Sequence, residues 1–114
     1  MENKLIVGNI KMNMKFGELA NYLNHFKNIK SKNVVICPSY IYIPYFLNYE
    51  FSVGSQNVCA YEDGGYTGEV SAKQLASIGV KYTIIGHSER RIKLNESDIE
   101  INKKVHEESF FKED

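Results

Sequence analysis

Net charge is the first thing this chain lacks: 14 basic residues balance 14 acidic ones across 114 positions. With no basic stripe and no block of like charge, neither nucleic acid nor a membrane surface is an expected partner. Cysteine is scarce too. Cys37 and Cys59 stand in no metal or redox spacing, which reads as two buried thiols in a reducing compartment. The apolar run in the opening "MENKLIVGNIKMN" is too short for a signal peptide or a spanning helix, so the expected location is the cytoplasm. No P-loop, dinucleotide glycine fingerprint or metal-ligand cluster occurs, and no cofactor is expected. No repeat or low-complexity tract divides the chain. Arginine is rarest among the basic residues: Arg90 and Arg91, side by side, are the only two.

What remains is an ordinary globular composition, 43% hydrophobic and 25% charged, long enough for one small domain. Short β-branched runs alternate with helical periodicity. "KLIVGNI" (4–10) and "NVVIC" (33–37) read as buried parallel strands, the second stopped by Pro38. Between them Phe16, Leu19, Ala20, Leu23, Phe26 and Ile29 recur at helical spacing, predicting a helix over 15–30. Pro44 suits the first turn of a short helix from about Ile43. "FSVGSQNV" (51–58) predicts a third strand and "KYTIIG" (81–86) a fourth. Ser71 with Gln74, and Ser97 with Glu100, have capping-box spacing, and Gly79 suits a helix C-terminus. The alternation predicts an α/β fold with a parallel sheet covered by helices.

In such folds the chemistry lies at the C-terminal ends of the strands. That rule singles out Asn9, Lys11, Ser39, Gln56, Asn57, His87, Ser88 and Glu89. Lys11 there fits either an anion-holding point charge or a solvated loop lysine, and spacing does not separate them. His87 fits a neutral ring facing a helix N-terminus, or a histidine satisfied by backbone. Glu89 fits a general base or a partner of Lys11 or an arginine. Glu96 suits a buried partner for Arg90 or Arg91, since a guanidinium matches a carboxylate bidentately. His25 and His106 read as solvated helix residues.

"VGNIKMN", "GSQN", "GGYTGE" and "GHSERR", in this order and at this spacing, resemble the triosephosphate isomerase family over about residues 4–108. The resemblance implies a TIM (β/α)₈ barrel. It also implies a homodimer of glycolysis and gluconeogenesis that interconverts dihydroxyacetone phosphate and glyceraldehyde 3-phosphate without a cofactor. A neutral histidine electrophile beside a glutamate base is this family's own known arrangement, not something spacing reveals. Carried over by position, Asn9 and Lys11 would contact the substrate and His87 would polarise its carbonyl. Glu89 would pair with Lys11, and Ser88 would help set the histidine. Gln56, Thr67, Arg90 and Glu96 would belong to the dimer interface, with Thr67 reaching into a partner subunit.

Three departures stand beside those motifs: Ile10 for a usual tryptophan, Ser55 for a usual alanine, and "KLNESD" for a stretch usually containing Phe-Gly. A complete barrel takes roughly 250 residues. Residues 1–114 therefore read as the N-terminal half, without the family's general base, lid and later phosphate loops. The expectation is a chain with both sheet edges open, inactive by itself and unstable as a monomer. The alternatives are a non-catalytic half-barrel that binds a phosphorylated ligand or a partner, and a decayed gene product.

Overall fold

The computed structural model describes residues 4–110, with side chains described through residue 107. Four parallel strands form one sheet in the order β1-β2-β3-β4: Ile6–Asn9, Val34–Cys37, Ser52–Ser55 and Tyr82–Thr83. The register sets Ile6 beside Val34, Val35 beside Ser52 and Gly54 beside Tyr82. Helices α1 (Leu19–Phe26), α2 (Ile43–Phe46) and α3 (Ala72–Ser77) make the three crossovers. After β4 come α4 (Ser88–Lys93) and α5 (Asp98–Phe110). This is the parallel, helix-covered sheet that the alternation predicts, and a partial (β/α) barrel, not closed, as the family resemblance implies.

The core lies between the sheet and its crossover helices. Ile36 and Val53 from the sheet meet Leu19, Ile43, Phe46 and Leu75 from the helices. Ile10, at the position where the family usually has tryptophan, joins this core at 9% exposure. Both cysteines are buried and free. Burial pushes the Cys37 thiol up to about 11 despite an opposing hydrogen bond from the Gly54 backbone, so it stays protonated and inert at neutral pH.

The elements are shorter than their sequence patterns. The stretch expected as a helix over 15–30 opens with a 3₁₀ turn at Phe16–Glu18 and is α-helical only to Phe26. Gly17 weakens the first turn, and the Glu18 carboxylate accepts from the Lys15 N–H at 2.9 Å. β3 stops at Ser55 because the Ser55 hydroxyl donates to Asn57 O, bending the chain away from the ladder. β4 keeps ladder-like bonds on either side of its two residues, Lys81 N to Val53 O and Ile84 N to Ser55 O. Gly86, at φ +69°, then turns it out of the sheet.

Capping follows the sequence closely. Ser71 and Gln74 cap α3 reciprocally, Gly79 adopts φ +99° just past its end, and Ser97 with Glu100 caps α5. The sequence pattern does not mark α4 as a separate helix. It ends at Leu94 and turns through Asn95 at φ +56°, a residue type that tolerates that region.

Candidate active site

Four strand ends build the mouth of the sheet. β1 delivers Asn9 and Lys11, β2 leads to Ser39, and β3 leads to Gln56. Lys11 adopts φ +60°, a left-handed conformation that costs a non-glycine residue about 1–2 kcal/mol. Its backbone is held at both ends. The N–H donates to Asn9 Oδ1 at 2.9 Å. The carbonyl accepts from Gln56 Nε2 at 2.8 Å and from the Ser39 hydroxyl at 3.1 Å. Gln56 Nε2 also donates to Cys37 O at 2.9 Å, so one amide ties the ends of β1, β2 and β3 together.

Past Gly86, His87 caps the N-terminus of α4, and its Nδ1 accepts from the Glu89 N–H at 3.1 Å. With Nδ1 acting as acceptor, the neutral ring carries its proton on Nε2, which is left to donate elsewhere. Gly86 lets this turn sit close: a Cβ there would stand 3.1 Å from Ile101 Cδ1. Lys11 Nζ donates to Glu89 Oε2 at 3.1 Å, across 78 residues of sequence. That hydrogen bond, helped by the charge of Lys11, holds the Glu89 carboxyl below its usual range even though partial desolvation opposes it. The structure thus brings Asn9, Lys11, His87 and Glu89 to one end of the sheet. Ser88 follows His87 as the first, exposed residue of α4.

Beneath the mouth lies a second, buried ionic cluster. The Arg90 Nε donates to Glu96 Oε2 at 3.1 Å, the pair read from the sequence. Lys104 of α5 joins them: its Nζ bonds Glu96 Oε2 and also Asn57 Oδ1, the latter at 2.8 Å. Burial raises the Glu96 carboxyl, but the hydrogen bonds and charges of Lys104 and Arg90 outweigh it and leave the group below its usual range. Sequence reasoning missed Lys104. The signal was present, because Lys104 lies three residues after Ile101 on the same inward face of α5. Arg91 instead reaches the surface and pairs with Asp98 at 2.8 Å.

Ser55, in place of the family's usual alanine, is fully buried and satisfied: its hydroxyl donates to Asn57 O at 2.9 Å and accepts from the Thr83 hydroxyl at 2.7 Å. Thr67 is exposed in the loop between β3 and α3. That loop is braced by Tyr61 stacked on Tyr66 at 4.4 Å, with Lys103 Nζ over the Tyr61 ring at 5.1 Å. An open cleft of about 490 Å³ lies between this loop and α3, and neither Lys11 nor His87 lines it. His25 and His106 are exposed, as their helical positions suggest. Among the described residues no three His, Cys, Asp or Glu side chains stand together to hold a metal. No described helix is long and apolar enough to cross a membrane.

Comparison with known proteins places this arrangement. A family model described as triosephosphate isomerase matches residues 4–110. The triosephosphate isomerase of Clostridium botulinum (strain Loch Maree / Type A3) is 42% identical over 112 residues, which cover 92% of this chain and 45% of that relative. Those of Natranaerobius thermophilus and Alkaliphilus oremlandii are 42% and 41% identical over 112 residues, covering 92% of this chain and 44% and 45% of theirs. The chain thus spans about half the length of the curated relatives it matches. A family match over every described residue, with relatives 41–42% identical across 92% of the chain, establishes that this chain belongs to the triosephosphate isomerase family.

Proposed function

We propose that the mouth is the electrophilic half of an aldose–ketose isomerase site for triose phosphates, acting without a cofactor. The observation that supports this best is the linked set Lys11–Glu89–His87. An ammonium is fixed 3.1 Å from Glu89, whose own backbone N–H fixes the adjacent imidazole. In this reading Lys11 attracts the substrate's phosphate and steadies the enediolate oxygen as charge develops. The Nε2–H of His87 donates to the carbonyl oxygen and polarises it. Asn9 holds the substrate and fixes Lys11 through its backbone. Ser88 helps set the ring at the start of α4. Glu89 stays ionised and bound to Lys11, so the proton on carbon is removed by a base outside residues 4–110. Gln56, Thr67, Arg90 and Glu96 belong, in the same reading, to the side that faces a second subunit of a homodimer working in the cytoplasm.

The test is a resonance titration of the 114-residue protein with dihydroxyacetone phosphate, using phosphate-free dihydroxyacetone as control. The expected result is a shift of His87 and Lys11 signals with the phosphate ester only, and no turnover in a coupled isomerase assay. Shifts confined to residues away from the mouth would overturn the substrate assignment. Turnover lost on His87→Gln would overturn the placement of the base outside these residues.

A further inference from the structure

The Lys11 carbonyl is the acceptor on which the mouth converges. It belongs to a non-glycine residue at φ +60°, yet it accepts from Gln56 Nε2 at 2.8 Å and from the Ser39 hydroxyl at 3.1 Å. A backbone conformation of this kind persists only where the surroundings over-determine it. Here the over-determination comes from two side chains on two other strand ends. Gln56 is itself fixed by its second bond to Cys37 O at 2.9 Å, at the buried end of β2. The geometry leaves the amide little choice: with its N–H donors spent on two carbonyls, it cannot let go of Lys11 without leaving donors unsatisfied.

We infer that Gln56, assisted by Ser39, is a positioning residue for Lys11: it holds the left-handed turn that aims the ammonium at Glu89 and the mouth. This rests on the reading of Lys11 as the anion-binding charge, and it differs from a subunit-contact role for Gln56. With the carbonyl released, Lys11 relaxes towards negative φ, the side chain swings off the mouth axis, and the 3.1 Å contact to Glu89 opens.

The experiment compares wild type with Gln56→Met, which keeps the shape and removes the donors, and with Ser39→Ala. Three quantities are read: the Glu89 side-chain titration by NMR, affinity for inorganic phosphate by calorimetry, and the thermal midpoint. Lys11 lowers the Glu89 carboxyl in the wild type, so releasing Lys11 should raise it towards the ordinary range in Gln56→Met, and less so in Ser39→Ala. With the aimed Lys11 conformer reduced to about a tenth of its population, phosphate binding weakens about tenfold. A merely structural glutamine would lower the midpoint and leave the Glu89 titration where it was; that result overturns the inference. If Gln56→Met does not fold, Ser39→Ala decides by the same Glu89 reading. If wild type itself binds no phosphate, the anion reading of Lys11 fails alone, while the Glu89 titration still decides for or against the positioning role.

Discussion

Two lysine–glutamate pairs in this molecule use the same chemistry in opposite surroundings. Lys11 and Glu89 meet at the mouth, their side chains 48% and 43% exposed. Lys104 and Glu96 meet beneath it at 5% and 3%, with Arg90 and Asn57 completing the cluster. In water an ion pair gains little over the solvated charges, so the mouth pair adds little to the fold and leaves the exposed side of its ammonium open to a ligand's phosphate. The buried pair has no such freedom, because each charge depends on its partner once water is removed. The same contact is thus part of an open ligand site in one place and a fixed joint between α4, α5 and the end of β3 in the other.

The comparison breaks most visibly at Lys104. Lys104→Met removes a buried cation and should destabilise the fold by about 3–5 kcal/mol, measured by denaturant unfolding. Combining it with Glu96→Gln should restore much of that loss, since the buried carboxylate then left to Arg90 alone goes too. A single variant as stable as wild type would mean that water reaches the cluster.

Acid gives the next largest effect. Glu96 sits below its usual range in the fold, so its contribution is fully present above the unfolded carboxylate value of about 4.3. It is lost as pH falls through the lower folded value. Glu96→Gln should therefore flatten the acid limb of a stability-versus-pH curve. An unchanged limb would assign acid sensitivity to other carboxylates.

Glu89→Gln should do least to the fold. Its exposed pair contributes little to stability, so the unfolding midpoint should stay in place while phosphate binding changes through the freed Lys11. A midpoint shift comparable to that of Lys104→Met would erase the distinction between the two pairs.

The parallel strands and the caps were legible in the sequence because they rest on local signals: β-branched runs, Ser-x-x-Gln and Ser-x-x-Glu spacing, and Gly79. The residues at the mouth were legible only as positions past strand ends. Position does not state that Glu89 is tied to Lys11, since the two are 78 residues apart. Elements came out short where side chains compete with the backbone ladder, as at Ser55. Lys104 was missed because a lysine on a polar helix reads as solvated, although its spacing from Ile101 sets it on the inward face of α5. The edge strand β1 illustrates the same limit. Ile6 and Val7 look like β2's buried Val35 and Ile36, yet they are 66% and 51% exposed, because β1 is an edge strand that pairs only with β2 among the described residues.

The central claim is that the mouth, through Lys11, is an anion site and not merely a basic surface. Its most direct test is calorimetric binding of phosphoglycolate to the 114-residue protein, to Lys11→Ala and to Lys4→Ala. The account predicts binding by wild type and Lys4→Ala and none by Lys11→Ala. Equal weakening in both variants would reduce the site to general electrostatics and contradict it.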